Sequence, residues 1–260
     1  MKLFKRIVLI TLAVLVFGVG SFFFWLSGQY TVPILMYHHV EEIAEAQPNW
    51  ISPKLFDWHM SYLKEKGYHV ISLDKLVDDI KNQRRLKPKT VVITFDDGYE
   101  NNFTNAYPIL KKYQYPATIY VTSANVGQEG FLTVEQMQEM MKNGITIASH
   151  TKNHAYLPNL SQEEQQIEIT ESKRDLEQML GVSIQHFSYP HGGFREDTKQ
   201  MVKAAGYLSG ATTNRGFDKL DKDVYELNRV RLSDKDIKEQ YLFAKFSGYY
   251  NSLRKAKKPY

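Results

Sequence analysis

Two adjacent carboxylates end the most hydrophobic strand pattern of the sequence. The run VVITF, residues 91–95, is followed directly by Asp96, Asp97 and Gly98. Successive side chains of a strand point to opposite sides, so the two aspartates cannot form a glycosidase pair, whose carboxyls face each other about 5–9.5 Å apart. They can divide two roles, one carboxylate binding a metal ion and the other accepting a proton from water. A simple turn is the alternative, but the helical pattern after Gly98 is poorly explained by a hairpin turn.

Histidines supply further candidate metal ligands. His150 and His154 are four residues apart, the spacing that places two imidazoles on one side of a helical turn. Two histidines and one carboxylate, with one position left open, are typical of a catalytic divalent metal site. A histidine pair alone is more often surface decoration, but a strand-end aspartate in another segment favours metal binding.

The elements that must position these residues alternate along the chain. Helix starts are marked by N-cap residues at Ser52, Thr133 and Ser161, the last two within capping boxes, and a fourth helix is expected to end before Gly206. Strand patterns lie between the helices, at residues 32–37, 69–72, 90–95, 117–121, 145–149, 186–189, 207–212 and 227–232. This alternation predicts an α/β fold with a mostly parallel sheet, open or closed into a barrel.

Four polar clusters follow predicted strands. In parallel α/β barrels functional groups lie where strands end, so these clusters are expected to converge on one rim. They hold five of the eight histidines. The clusters are residues 38–39, 96–98, 150–154 and 189–193. Residues 41–51 carry no clear pattern, and Trp50 within them is a candidate wall of a substrate groove.

Three motifs, in order, resemble those of the polysaccharide deacetylases, a carbohydrate esterase family related to the nodulation deacetylases. They are TFDDG at 94–98, SHTKNH at 149–154 and SYPHG at 188–192. The earlier ILMYHHV, residues 34–40, is similar to the circularly permuted branch that includes poly-N-acetylglucosamine deacetylases. The resemblance spans about residues 32–232 and implies a distorted (β/α)7 barrel.

The resemblance also implies roles for individual residues. Asp97, His150 and His154 would bind a divalent metal, usually zinc in this family, and Asp96 would be the general base. Such a metal lowers the pKa of water and polarises an amide carbonyl, which makes acetamide hydrolysis feasible near neutrality. The backbone N–H of His191 is a candidate oxyanion donor.

The chain departs from the family pattern in two places. Ser188 stands where the third motif usually begins with an arginine, and Arg229 is the candidate substitute, with Arg231 as the alternative. The usual C-terminal leucine-x-histidine is missing, since no histidine follows His191. The permuted branch implies His38 as general acid instead, ahead of the neighbouring His39. The remaining candidate substrate-contacting residues are Tyr189, Pro190 and His191.

The N-terminus has the pattern of an exported protein. Lys2, Lys5 and Arg6 precede twenty residues, 7–26, without a charge, and no small-residue cleavage site follows. We expect residues 1–28 to be an uncleaved signal-anchor helix and residues 29–260 to be an external catalytic domain, a soluble form released by cleavage being the alternative. The absence of cysteine excludes disulfides and a lipid-modified cysteine.

Charge and composition limit the partners. The net charge is only +4, and three of these charges lie in the first six residues, so a nucleic-acid-binding surface is not indicated. A C-terminal basic cluster is either a solvated tail or attracted to anionic surface polymer; it comprises Arg254, Lys255, Lys257 and Lys258. We expect a monomer that acts on an N-acetylated polysaccharide.

The identity of the polymer stays open. Poly-N-acetylglucosamine is favoured by the permuted signature, with peptidoglycan next. An O-acetyl esterase acting on xylan-type sugars shares the same chemistry, and a non-catalytic glycan-binding module is a further alternative. Retention of both aspartates and both histidines counts against the module.

Overall fold

The protein is described by a computed structural model that covers residues 2–27, 30–42, 47–84, 86–214 and 223–250. The C-terminal basic cluster and part of the segment 41–51 lie outside these ranges. The helices are α1 (Lys2–Ser27), α2 (Pro53–Glu65), α3 (Leu73–Lys81), α4 (Tyr107–Tyr113), α5 (Val134–Met141), α6 (Gln162–Leu180), α7 (Glu196–Ala204) and α8 (Glu239–Phe246). The strands are β1 (Ile34–Tyr37), β2 (His39–Val40), β3 (Trp50–Ile51), β4 (His69–Val70), β5 (Thr90–Phe95), β6 (Ala117–Val121), β7 (Ile145–Ser149), β8 (His186–Ser188), β9 (Ser209–Ala211) and β10 (Val230–Arg231).

A parallel, curled sheet forms the centre of the molecule. Its order is β10-β1-β5-β6-β7-β8-β9, with β4 paired to β5 beside this path. The two edges meet through one segment, since Leu227 bridges Ala211 of β9 and Val230 pairs with Leu35 of β1. The seven strands therefore form a curled, barrel-like sheet, and among the described residues its two edges pair only through the Ala211–Leu227 bridge. The predicted α/β fold, a distorted (β/α)7 barrel, is confirmed.

Two apolar cores hold the sheet. The larger lies between the sheet and the surrounding helices, and includes Phe56 of α2, Leu110 of α4 and Leu176 of α6. The smaller fills the inside of the curled sheet, where Leu76 and other apolar residues of α3 cover the end at which the strands begin. The opposite end, where the strands terminate, is therefore left for polar groups.

The predicted helix ends follow from local chemistry. The side chains of Thr133 and Ser161 each accept a hydrogen bond from the N3 amide, and the N3 side-chain oxygen accepts one from the backbone N–H of the N-cap residue, so both capping boxes are present. Gly181 ends α6 with a φ of 69°, which a residue without Cβ adopts freely. The helical pattern after Gly98 begins as a π-helical turn over Asn102–Ala106 before α4.

α1 is a separate apolar helix. Its stretch Phe4–Phe22 has a mean hydropathy of 1.9 and none of it is buried against the rest of the protein. Nineteen helical residues span about 28 Å, close to the thickness of a bilayer's hydrocarbon core. The helix has the length and composition of either a membrane span or a signal sequence.

Candidate active site

A buried ion pair lies at the centre of the rim formed by the strand ends. Asp96 follows β5, and both of its carboxylate oxygens accept hydrogen bonds from Arg229, over 2.6 and 2.7 Å. Asp96 is 2% and Arg229 1% exposed, so the pair is almost fully withdrawn from water. Burial by itself raises the pKa of Asp96, but the charges of Arg229 and His150 outweigh it and the net pKa is lowered.

Arg229 is fixed by contacts on every side. Its Nη2 also donates to Ser188 Oγ over 2.8 Å, and its Nε donates to the Thr212 carbonyl over 2.9 Å. The guanidinium lies over the ring of Tyr120, 5.2 Å from the ring centre. Ser188 stands at the position where the motif usually has arginine, and it contacts Arg229, which comes from the segment just before β10. Arg231, the alternative, is exposed on β10.

A second group of side chains has the composition of a metal site. Ligand atoms of Asp97, His150 and His154 lie within 4.8 Å of one another. Asp97 Oδ1 is 3.5 Å from His150 Nε2 and 3.2 Å from His154 Nε2. One carboxylate oxygen and two imidazole nitrogens form a donor set suited to zinc and similar divalent ions.

Two details show that these residues fit a metal. His150 Nδ1 lies 2.8 Å from the Ser188 carbonyl, which fixes the proton on Nδ1 and leaves the Nε2 lone pair facing Asp97. Asp97 Oδ1 is buried and has no hydrogen-bond partner among the described residues. Burial by itself raises the pKa of Asp97. The neighbouring histidines, His154 first, lower it by more than burial raises it, so the net pKa is lowered and the carboxylate is ionised.

The backbone that holds the ligands is in unusual conformations. Asp97 has a φ of 75° and His154 a φ of 57°, both in the left-handed region that non-glycine residues rarely adopt. Gly98 also has a positive φ, and a Cβ there would lie 3.1 Å from a Val121 methyl. Residues 150–154 form an irregular loop, so the expected helical turn is wrong, although the two imidazoles still meet.

Glu168 of α6 holds that loop and was missed by sequence reasoning. Its carboxylate accepts hydrogen bonds from the backbone amides of Lys152 and Asn153, over 3.0 and 2.9 Å, and from the Asn153 side chain over 2.6 Å. A charged residue on the buried face of an amphipathic helix is the signal that could have found it, because a buried carboxylate needs donors.

His38 lies beside Asp96. Its Nε2 is 4.0 Å from Asp96 Oδ2, and its Nδ1 is buried without a hydrogen-bond partner among the described residues. Burial lowers the pKa of His38, and the negative charges of Asp96 and Asp97 oppose this. Asn102, also missed, donates its side-chain N–H to the His38 carbonyl over 2.7 Å and so fixes the end of β1.

His39 points elsewhere, into an aromatic stack. Its ring lies 3.8 Å from that of Trp50 and 3.4 Å from that of Tyr99, nearly parallel to both. Tyr99 in turn stacks on Phe131. Burial lowers the pKa of His39 to about 4, so the ring is neutral near pH 7. Trp50 therefore contacts this stack.

The last predicted cluster is only partly brought to the site. The His191 ring lies 5.0 Å from the His154 ring, and His191 has a φ of 55° in the tight turn begun by Pro190. Tyr189 is buried in the core, where it stacks on Phe194 and its hydroxyl donates to the Tyr225 carbonyl over 3.0 Å. Tyr189 thus begins the turn from the core and anchors it through buried contacts.

Comparison with known proteins decides the family. The sequence model of the family "Polysaccharide deacetylase" matches residues 83–210. YxkH of Bacillus subtilis, whose name places it among the polysaccharide deacetylases, is 38% identical over 202 residues, 78% of this chain and 71% of that protein. The chain belongs to the polysaccharide deacetylase family. Its hydrolase class and its fold therefore agree with the sequence-based expectation.

Other deacetylases extend the comparison. A poly-beta-1,6-N-acetyl-D-glucosamine N-deacetylase of Staphylococcus aureus is 25% identical over 214 residues, 77% of this chain and 73% of that one. The solved structure of the Streptococcus pyogenes deacetylase PplD in complex with acetate is 32% identical, with a TM-score of 0.77, and the match covers 83% of this chain and 97% of that one.

Proposed function

We propose that this polysaccharide deacetylase is a metal-dependent hydrolase that removes N-acetyl groups from a cell-surface or extracellular polysaccharide, with poly-N-acetylglucosamine as the first candidate. The observation that carries the proposal is the convergence of Asp97, His150 and His154 beside the buried Asp96. The staphylococcal relative, named for that polymer, supports the choice of substrate at 25% identity.

In this proposal Asp97, His150 and His154 hold one divalent ion, zinc being the first candidate. Bound there, the ion supplies Lewis-acid polarisation of the acetamide carbonyl and makes water easier to deprotonate. The protein's part is to fix the tautomer of His150 through the Ser188 carbonyl, and to place the Asp97 carboxylate by the left-handed backbone at that residue.

Asp96 is the proposed general base and Arg229 its positioning residue. A base must be deprotonated, and the two charge-assisted hydrogen bonds from Arg229 favour the carboxylate over the acid. They also hold the carboxylate plane in one orientation, so that a lone pair faces the space shared with His150, whose Nε2 is 4.0 Å away.

His38 is the proposed general acid, because an amine leaves only after its nitrogen is protonated. The nearby Asp96 carboxylate, 4.0 Å away, favours a proton on His38 Nε2. The backbone N–H of His191 is the proposed oxyanion donor, with Pro190 and Tyr189 shaping its turn. Trp50, in its stack with His39, is the proposed wall of the sugar-binding groove.

For the whole chain we propose a monomer in which residues 1–28 anchor residues 29–260 to the outer surface of the membrane. The basic residues before α1's apolar stretch favour a cytoplasmic N-terminus. The catalytic domain would then meet its polymer outside the cell.

Acetate release from defined polymers tests the reaction. The full-length protein in detergent should release acetate from poly-N-acetylglucosamine faster than from peptidoglycan, and only slowly from acetylated xylan. A chelator should abolish release and an added divalent ion should restore it. Preference for the xylan ester would make the enzyme an O-acetyl esterase, and binding of polymer without any acetate release would identify a glycan-binding module.

Metal content tests the ligands. His154→Ala should retain well under one zinc per chain after dialysis, because two remaining protein ligands bind the ion weakly. His69→Ala removes an exposed histidine of β4 and is the matched control, expected to keep its zinc. Stoichiometric zinc and full activity in His154→Ala would show that the ligand assignment is wrong.

A further inference from the structure

The end of α3 and the segment that joins it to β5 are strongly basic. The sequence KNQRRLKPK at residues 81–89 has five cations and no acid, and Lys81, Arg84, Lys87 and Lys89 are exposed. We call the described residues of this stretch, 81–84 and 86–89, the basic loop. Acids next to it offset part of the charge, because Asp78 pairs with Arg84 and Asp79 contacts both Arg84 and Lys75.

The basic loop lies where the chain enters the domain from α1. It leads directly into Thr90, whose backbone N–H donates to Tyr30 Oη over 3.1 Å, while the Tyr30 hydroxyl donates to the Thr90 carbonyl over 3.2 Å. Thr31 N donates to the Gly248 carbonyl over 3.0 Å. The first described residues of the domain, Tyr30 and Thr31, therefore share one face with the basic loop and with the end of the described chain.

An aromatic side chain extends the same face. Phe243 of α8 is 65% exposed and lines a surface cleft together with Lys66 and Lys89. Glu239 pairs with Lys66 at this cleft over 2.9 Å. An exposed aromatic ring among lysines is the composition that proteins present to the membrane–water interface.

The tether from α1 is too short to let this face move far from the bilayer. α1 continues for five residues beyond Phe22, about 7–8 Å, which spans one headgroup layer. Three Cα–Cα steps from Ser27 to Tyr30 then reach at most about 11 Å. Electrostatic attraction to a charged surface decays over about 8 Å at physiological salt, so a tether of at most about 11 Å keeps the basic loop within one to two decay lengths of the surface.

We propose that the basic loop binds anionic lipid headgroups of the membrane that holds α1, and thereby orients the domain. β5 runs from Thr90 beside this loop to Phe95 next to the site, so the rim lies about 20 Å farther out and faces away from the lipid. The enzyme would then act on polymer that lies beyond the headgroup layer. This inference rests on the proposed anchor and not on the proposed reaction.

Single dye labels test the orientation, since the chain has no cysteine of its own. Gln83→Cys places a dye in the basic loop, and Glu129→Cys places one in the exposed loop after β6, near Gly98 at the rim. The full-length protein is reconstituted in phosphatidylcholine vesicles, with or without phosphatidylglycerol, carrying a headgroup-linked quencher. We expect strong quenching at residue 83 only in the anionic vesicles, and weak quenching at residue 129 in both.

Charge neutralisation provides the second measurement. Each lysine next to an anionic surface contributes about a fivefold factor to binding, so Lys81→Gln/Lys87→Gln should lower the ratio of docked to undocked domain about 25-fold. Lys54→Gln/Lys235→Gln makes the same charge change at exposed positions of the rim end and should alter nothing. High salt should mimic the loop variant.

Three outcomes would overturn the proposal. They are equal quenching at residues 83 and 129 in anionic vesicles, equal effects of the two lysine pairs, and failure of the protein to float with either kind of vesicle. The last result would remove the anchor itself. Acetate release is measured on the same samples and reports separately on the deacetylase, because neither lysine pair belongs to the proposed catalytic residues.

Discussion

At the scale of single residues, the site depends on one carboxylate that is both paired and reactive. Asp96 is held by Arg229 through two short hydrogen bonds in a nearly dry environment. Removing one partner of such a pair leaves an uncompensated buried charge, which is costly even where the intact pair adds little net stability. Activity and stability are therefore linked at this position.

Asp96→Asn is expected to remove nearly all deacetylation, at least about 100-fold in kcat/KM, and to keep bound metal because Asp97 is the proposed ligand. The variant should also lose about 3 kcal/mol of stability, since Arg229 keeps its charge without a counter-ion. Activity, zinc content and Tm are measured together. Asp57→Asn, which breaks the surface pair with Lys112, is the control and should cost under about 1 kcal/mol.

His38→Ala should distinguish proton donation from a structural role. On an N-acetyl substrate the loss should reach about 10²–10⁴-fold, because the departing nitrogen must be protonated. On an aryl acetate the loss should be much smaller, because the phenolate leaves without a proton. Initial rates on both substrates are the measurement. Equal losses would contradict the general-acid role and make His39 or His191 the next residue to test.

At the scale of elements, α2 is locked to the barrel by a buried histidine. His59 Nδ1 lies 3.1 Å from the Tyr37 hydroxyl of β1, and its Nε2 lies 3.0 Å from the Asp236 carbonyl. His59 has no exposed surface, and burial lowers its pKa from 6.5 to about 4. A neutral ring satisfies both neighbours, because its Nε2–H donates to the Asp236 carbonyl and its Nδ1 accepts from the Tyr37 hydroxyl.

Stability should therefore fall in acid. Below pH 6.5 the unfolded chain protonates this histidine, while the folded chain resists until about pH 4. The contribution of His59 to the free energy of unfolding is therefore at its full value above pH 6.5. As the pH falls from 6.5 to about 4, the protein loses up to about 3 kcal/mol of this stability. Urea unfolding at about pH 7 and about pH 4.5 should show a smaller acid loss in His59→Gln. If His59→Gln and the wild type lose the same amount of stability in acid, the loss comes from other titrating groups. His69→Gln, at an exposed histidine, is the control.

At the scale of the whole molecule, the two ends of the barrel differ in character. The strand ends carry Asp97, His150 and His154, while the strand starts are covered by α3 and receive the connection from α1. The proposed anchor and the proposed site therefore lie at opposite ends, which keeps the site accessible to a polymer.

Cell fractionation tests the anchor. The full-length protein should sediment with membranes, and external protease should digest the catalytic domain of intact cells. The physical reason is the uncharged stretch 7–26, whose transfer from lipid to water is unfavourable. A soluble form that begins near residue 28 in the culture medium would identify the stretch as a cleaved signal sequence.

The sequence by itself determined the alternation of strands and helices, because apolar periodicity and capping residues act within a few positions. The capping boxes at Thr133 and Ser161 formed as predicted. It also determined which polar groups follow each strand, and parallel strands necessarily bring those groups to one rim. The motif residues Asp96, Asp97, His150 and His154 could be named for the same reason.

Only the tertiary structure decided how those groups are oriented. Arg229 meets Asp96 across 133 positions of the chain, a contact that requires the sheet to curl until its edges meet. Glu168 reaches the 150–154 loop from another helix, and Trp50 stacks on His39. Local patterns carry no information on such pairs, because they depend on how distant elements pack and on which buried charges must find partners.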